Sequence, residues 1–354
     1  VDNYTVIHSW HTLSAESTLI SRFLENISFA ISSSWRILQQ PPADVVYLFN
    51  WPIFAQGMNS WVLKKLISKN VKIVNNVRDV YPESLMGKNM LKADSLIARL
   101  LRKWDKSHLH RCDVVITLAP TMKDLLVKNR EVPSEKVKVL PNWFDAGKFR
   151  KKLPKDGAFR KKHNISPDTF LAIYAGSMTM SAGLDLYVQA AELLKDSGKI
   201  QFLLVGDGSE RKPIENKIAR KGLKNIRNIY PMNPEDVPEV QAAADVLLMS
   251  LSGEMAQNAA PSKQVSYMFS GRPVIASISP NGTPAKIIAD SKAGYVLPPD
   301  NPQALADKLI ELSENNQDLE EIGENARKYA MKNFAKDMVL PKMIDIFEAL
   351  ADNA

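Results

Sequence analysis

Eight short apolar runs recur along the chain, at 44–49, 71–77, 113–117 and 136–140, then at 170–174, 201–205, 245–249 and 273–276, with helical spacing between many of them. Runs this short, rich in Val, Ile and Leu, mark strands buried on both faces, and intervening helices make the connections parallel crossovers. The chain therefore reads as α/β. Residues 145–167, rich in Lys, Arg, Gly and Pro, separate the two series and read as the linker and the start of a second lobe. At 354 residues the chain can build two domains, each with its own core. Ligands are expected in the cleft between two such lobes.

The 45% apolar and 24% charged residues are those of a soluble globular protein. No run approaches the roughly 18 apolar residues that span a bilayer, and the N-terminus lacks the order of a signal peptide, so a cytoplasmic location is expected. Cys112 is the single cysteine, which excludes a disulfide within the chain. It reads as a buried structural thiol, since no helix start or histidine–carboxylate pattern adjoins it.

Charge is uneven. Residues 1–150 hold 21 Lys and Arg against 13 Asp and Glu, a net +8, whereas the remainder holds 25 against 26. An anionic partner is expected for the first part: a membrane surface or phosphorylated lipid before nucleic acid, for which no recognised module is present. Two amphipathic helices there, 17–38 and 91–111, could lie on a membrane. Packing of the apolar stripe on the sheet is the commoner use of such a helix and is the expectation for both.

Residues 258–277 place Ser262 and Lys263 at a helix start and end the helix at Gly271, with Pro273 barring its continuation. Ser262 reads as the N-cap. The unpaired N–H groups of that helix start, with the Lys263 charge, suit an anion, most naturally phosphate. A capped helix whose lysine merely faces water explains the same residues. Two glycine turns, at Gly176 and at Gly206–Gly208, follow apolar runs and lead into helices, which favours the phosphate reading. Arg211 stands where a dinucleotide fingerprint has its third glycine, so NAD is not expected.

Histidine spacing offers no metal site, and the chain has no Asp-x-Asp pair, no Gly-x-Ser-x-Gly elbow and no phosphate loop of the nucleotide hydrolases. In the first lobe, Asp79 and Glu83 follow the run 71–77, at the strand tip where a carboxylate can hold a hydroxyl or act as a base. Pro82 at a helix start accounts for Glu83 as well.

The ordered motifs Arg78-Asp-Val-Tyr-Pro-Glu-Ser84, Leu140-Pro-Asn-Trp-Phe-Asp145, Tyr174-Ala-Gly-Ser177, Leu204-Val-Gly-Asp-Gly208, Ala243-Ala-Asp-Val246, Pro261-Ser-Lys263 with Tyr267-Met, Gly271-Arg-Pro-Val-Ile275 and Gly294-Tyr-Val-Leu-Pro-Pro299 resemble family 4 glycosyltransferases of the GT-B fold. The subgroup they resemble is the bacterial one that builds colanic acid, capsule and O-antigen. The resemblance implies two Rossmann-like lobes: an acceptor-side lobe over 1–145, a nucleotide-sugar lobe over 146–335, and a helix over 336–354 packing back on the first. The family's opening strand and glycine-rich loop have no counterpart here, which implies an incomplete first lobe.

The implied activity is transfer of a sugar, with retention of configuration, from a nucleotide donor, UDP-linked by expectation, to a lipid-linked saccharide at the inner face of the plasma membrane. Neither a metal nor a resident cofactor is expected. A UDP-sugar 2-epimerase on the same architecture and a non-catalytic nucleotide-sugar or partner-binding module are the alternatives. The resemblance places Gly176 and Ser177 at the diphosphate, Gly206, Gly208 and Arg211 near the nucleotide, Pro231 and Met232 near the base, and Ser262 and Lys263 at the phosphates. Asp79, with Glu83, falls to the catalytic, acceptor side. Two glutamates common in the family are replaced by Asn258 and Ser266, leaving Ser266 to meet the ribose. Ser177 and Ala182 replace an Arg and a Lys, so the phosphates depend on Lys263 and backbone amides.

Overall fold

The computed structural model describes residues 4–13, 19–86, 91–149, 152–230, 233–251 and 261–352. The chain divides into two compact units, Val1–Leu140 with Pro341–Ala354, and Pro141–Leu340.

Among the described residues the first unit holds four parallel strands in sequential order: β1 (Val45–Phe49), β2 (Lys72–Val77), β3 (Val114–Thr117) and β4 (Val137–Val139). Ile73, Val77, Val115 and Val137 point into a core with Leu109, Met122 and Leu126 from the connecting helices. Cys112 lies fully buried in it, as expected, and burial pushes its thiol well above the ordinary range.

The described residues of the second unit hold six parallel strands: β5 (Phe170–Ala175), β6 (Ile200–Val205), β7 (Ile226–Ile229), β8 (Val246–Ser250), β9 (Val274–Ser277) and β10 (Gly294–Leu297), in the order β10-β9-β8-β5-β6-β7. Alternation along β5 sends Leu171, Ile173 and Ala175 into one core and Phe170, Ala172 and Tyr174 into the other. Both faces are covered, which is why the central strands read as unbroken apolar runs. β7 and β10 form the two edges. They keep half-exposed positions and so lack that signature.

Residues 145–167 open the second unit: Phe149, Phe159 and Ile165 join one of its cores, and Arg160, fully buried, donates to the Ala243 carbonyl at 2.8 Å and to Asp245 at 2.7 Å. Two expectations are corrected. The helix predicted from residue 91 begins at Leu96, where Ser95 caps it by accepting from the Ala98 N–H at 3.2 Å. The two amphipathic helices also do not bury all their apolar surface. Leu19–Leu38 sets Asn26, Ala30, Ser33 and Ser34 inward, with both serines donating to the Asn59 side-chain Oδ1 at 3.2 and 2.7 Å. Small side chains allow that close helix contact, and Ile20, Leu24, Ile31, Trp35 and Leu38 are left outside.

Candidate functional site

From β5 the connections run through β6 to β7, and from β8 they run the opposite way through β9 to β10. The carboxyl ends of β5 and β8 therefore border the point where the winding reverses, the place where open α/β sheets leave room for a ligand. A cavity of about 480 Å³ opens there, within the second unit. Gly176, Ser177, Thr179 and Ser181 form one wall, and Ser250, Leu251, Ser262, Lys263 and Ser266 the other.

The two glycine turns are packed on each other. Gly176 donates to the Val205 carbonyl at 2.9 Å, Met178 to the Asp207 carbonyl at 2.8 Å, and Glu210 back to the Met178 carbonyl at 2.9 Å. A Cβ on Gly206 would lie 2.0 Å from the Gly176 carbonyl oxygen, and one on Gly208 2.3 Å from that of Met178. Only hydrogen fits at either place. Gly176 itself has φ +152, and a Cβ there would meet Lys263 Cε at 2.7 Å. The bare backbone at Gly176 is thus the floor on which the Lys263 side chain rests.

Lys263 stands in the first turn of the helix Ser262–Ser270, which ends as predicted at Gly271 in the left-handed conformation. Pro261, not Ser262, occupies the N-cap position, and it provides no side-chain hydrogen bond. Ser262 is the first helical residue and is exposed. Among the described residues no side chain caps the N–H groups of the helix start, which suits an incoming anion. The Lys263 ammonium lies 3.6 Å from the centroid of the Tyr174 ring. Burial pulls its pKa down to about 7, with no described carboxylate acting against that shift. A desolvated cation over a glycine loop, at the mouth of a cavity, is arranged to receive negative charge.

Ser266 is buried and exchanges hydrogen bonds with the Gln241 amide, at 2.8 Å and 3.2 Å, on the cavity wall. Arg211 is paired: it meets Asp207 at 2.8 Å and Glu215 at 3.2 Å, and its guanidinium stacks 4.2 Å from the half-exposed Tyr230 ring. Pro231 and Met232 lie outside the described residues, as does Asn258.

In the first unit, Asp79 is exposed beyond the carboxyl end of β2, where its backbone carbonyl accepts from the Asn50 amide. Glu83 is differently placed. Its carboxylate receives Arg130 at 2.5 Å and Arg102 at 3.4 Å, and the buried Arg130 also reaches Asp105 at 2.8 Å and the Tyr81 carbonyl at 2.7 Å. That carboxylate is committed to a structural network.

Several site residues escape a reading by sequence. Tyr174 supplies the ring under Lys263 and donates to the Ser177 carbonyl at 2.6 Å; Tyr267 brackets the end of β5, accepting from the Ala175 N–H at 2.7 Å and donating to the Ala175 carbonyl at 3.0 Å. A tyrosine closing an apolar run just before a glycine is the available signal for the first. Gln241 carries none.

Residues 155–329 match the model of glycosyl transferases group 1, and residues 3–148 that of glycosyltransferase family 4. The chain carries a glycosyltransferase family 4 domain followed by a glycosyl transferases group 1 domain. One relative, a glycosyl transferase of Escherichia coli K12 named for colanic acid biosynthesis, WcaI, is 24% identical over 263 residues, which cover 72% of this chain. The chain spans less than two thirds of the length of the curated relatives it matches, 63% in that case. Among solved structures, sucrose-phosphate synthase from Thermosynechococcus elongatus superimposes with a TM-score of 0.78 at 18% identity, covering 98% of this chain and 84% of that one. HepE of Anabaena in complex with UDP gives 0.74 at 16% identity, covering 92% and 84%. The chain accordingly has the GT-B fold, two parallel-sheet α/β units. Among its described residues, no helix is long and apolar enough to cross a membrane, and no cluster of three His, Cys, Asp or Glu could hold a metal.

Proposed function

We propose that this glycosyltransferase moves a sugar, with retention of configuration, from a UDP-linked donor to a lipid-linked saccharide in surface polysaccharide biosynthesis. The observation that carries the proposal is the Lys263 ammonium, held over Gly176 in the switch-point cavity with no described carboxylate paired to it. The polysaccharide named for the Escherichia coli relative and the UDP in the HepE structure support the pathway and the base.

In the proposed reaction the bond between the anomeric carbon and the diphosphate oxygen breaks, and its electron pair leaves with UDP. The acceptor oxygen bonds to the anomeric carbon from the same face, and its proton passes to the departing phosphate oxygen. The charge that develops on the diphosphate falls to Lys263, the N–H groups at Ser262 and the backbone at Gly176 and Ser177. The Gly206–Gly208 turn and the Arg211–Tyr230 stack flank the nucleotide, Ser266 turns from Gln241 to a ribose hydroxyl, and Asp79 orients the acceptor hydroxyl. The proposal involves no metal or resident cofactor.

Calorimetry with UDP, GDP and their sugars tests it. UDP binding that is weakened when Lys263 is removed is the expected result. Absence of binding by every nucleotide overturns it, and binding without turnover on a lipid-linked saccharide returns the chain to a nucleotide-sugar module.

A further inference from the structure

We infer that Trp51 presents a stacking platform for one pyranose ring of the acceptor saccharide, with Arg78 and Asp79 beside it to take the ring hydroxyls. Calling that sugar the acceptor rests on the proposed reaction. The residues lie beyond the carboxyl ends of β1 and β2, two neighbouring parallel strands of the first unit. The Trp51 and Tyr81 rings have centroids 5.1 Å apart and planes tilted by 34°, the spacing of an offset stack. Tyr81 therefore backs one face of the indole. The rest of the indole is open, with Trp51 49% exposed.

The backbone around these rings is held by buried groups. Asn50, which precedes Trp51, is buried; its N–H donates to the Asn76 carbonyl at 3.1 Å, and its side chain accepts from the Arg78 N–H at 3.2 Å and donates to the Asp79 carbonyl. Residues 78 and 79 are thus tied to the residue next to the platform. Tyr81 is held at both ends: its carbonyl accepts from the buried Arg130 at 2.7 Å, and its hydroxyl is hydrogen-bonded to Ser84. The Arg130–Glu83–Asp105 network accordingly fixes the loop after β2. A rigid backbone under an open aromatic face is what a binding surface needs, because little ordering is left to be done when the ligand arrives.

The polar neighbours select the occupant. Arg78 is exposed, its guanidinium 5.6 Å from the centroid of the Phe49 ring, and Asp79 is exposed as well. Among the described residues neither side chain forms an ion pair. A lipid chain or an apolar protein face laid here would strip both charges of water and give them no partner. A pyranose meets all three groups: the C–H bonds of one ring face, slightly positive, lie against the negative face of the indole, while hydroxyls at the ring edge accept from Arg78 and donate to Asp79.

Saturation-transfer NMR of the whole chain with the methyl glycosides of glucose, galactose and mannose reads this contact without turnover. Saturation is expected at the C–H protons of one ring face in at least one glycoside. Trp51→Ala should weaken that binding about fivefold, and Trp51→Phe, which keeps a flat ring, should restore most of it. UDP affinity should hold in both variants, because Trp51 does not line the donor cavity. No saturation of any of the three glycosides overturns the platform, as does saturation that a folded Trp51→Ala protein retains in full. Equal loss in the Ala and Phe variants also overturns it, since the ring face would then not be what the sugar reads. Glycoside binding at Trp51 by a chain that binds no nucleotide would leave the platform standing and remove the donor site.

Discussion

The Lys263 ammonium sits 3.6 Å from the centroid of the Tyr174 ring, joining the first turn of one helix to the last residues of β5 across 89 positions of sequence. The ring offers the cation a partial substitute for water without supplying a counter-charge. Lys263 is thereby held in place and remains available to an anion.

Lys263→Met keeps the stem over Gly176 and Tyr174 and removes the charge. UDP affinity should fall by about 1.5–3 kcal/mol, the scale of a hydrogen bond to a charged group, or roughly 10- to 150-fold. The melting temperature of the free protein should hold or rise, since the variant no longer desolvates a cation. Calorimetry and thermal denaturation together check this, and unchanged UDP affinity returns the helix to a capped structural element.

The same lysine sets a pH dependence. Its pKa is about 7 in the free protein, and a bound diphosphate raises it, so the complex keeps its proton to higher pH. Affinity for a UDP-sugar, whose diphosphate diester does not titrate near neutrality, should be greatest below about pH 7. It should weaken by up to tenfold per unit as pH rises through that value. Without ligand, the effect on stability has the opposite sense: the unfolded lysine holds its proton to about 10.5, so the cost of burying it is full below about 7 and fades as pH approaches 10.5. Binding titrated in buffers of different ionisation enthalpy should show proton uptake near neutrality, and none should remain in Lys263→Met.

Gly206→Ala should force the two glycine turns apart, because the added carbon lands 2.0 Å from the Gly176 carbonyl oxygen. A loss of about 1–3 kcal/mol of stability is expected, with weaker UDP binding as the floor under Lys263 shifts. Gly198→Ala is the control: its φ is also positive, at +64, but the new carbon meets nothing within 4 Å. It should lower stability by about 1 kcal/mol and leave UDP affinity alone. Equal effects of the two substitutions on UDP affinity would remove the stacked loops from the site.

Periodicity shows the strands wherever both faces are buried, as in β5, whose six residues are all inside. It misses β7 and β10 because an edge strand exposes positions that can be Arg or Asn, as in Ile226–Ile229. It also shows an apolar stripe on Leu19–Leu38 without showing what covers it. Ser33 and Ser34 take the packed face because they can approach and bond Asn59, a partner 25 residues or more away. Lys263 is legible from its place before a short helix, whereas Tyr174 and Gln241 become part of the site only when β5 and the helix before β8 are brought beside it. Long-range partners decide Glu83 as well: nothing near it in sequence announces Arg130.

Asp79 and Glu83, four residues apart after β2, should separate cleanly when each is made an amide. Glu83→Gln weakens a network around a fully buried Arg130, and breaking a buried ion pair costs about 3 kcal/mol at the low end. Its effect should therefore appear as a lower denaturation midpoint, with transfer by the folded fraction retained. Asp79 is exposed and forms no side-chain ion pair among the described residues, so Asp79→Asn should leave the midpoint within about 0.5 kcal/mol of wild type. If Asp79 orients the acceptor hydroxyl, transfer to a lipid-linked saccharide should drop by about 100-fold or more while UDP affinity stays constant. Chemical denaturation, UDP calorimetry and single-turnover transfer on both variants distinguish the roles. Near wild-type transfer by Asp79→Asn would strip that residue of its acceptor role. Loss of transfer by a fully folded Glu83→Gln protein would show that the carboxylate does more than hold Arg130.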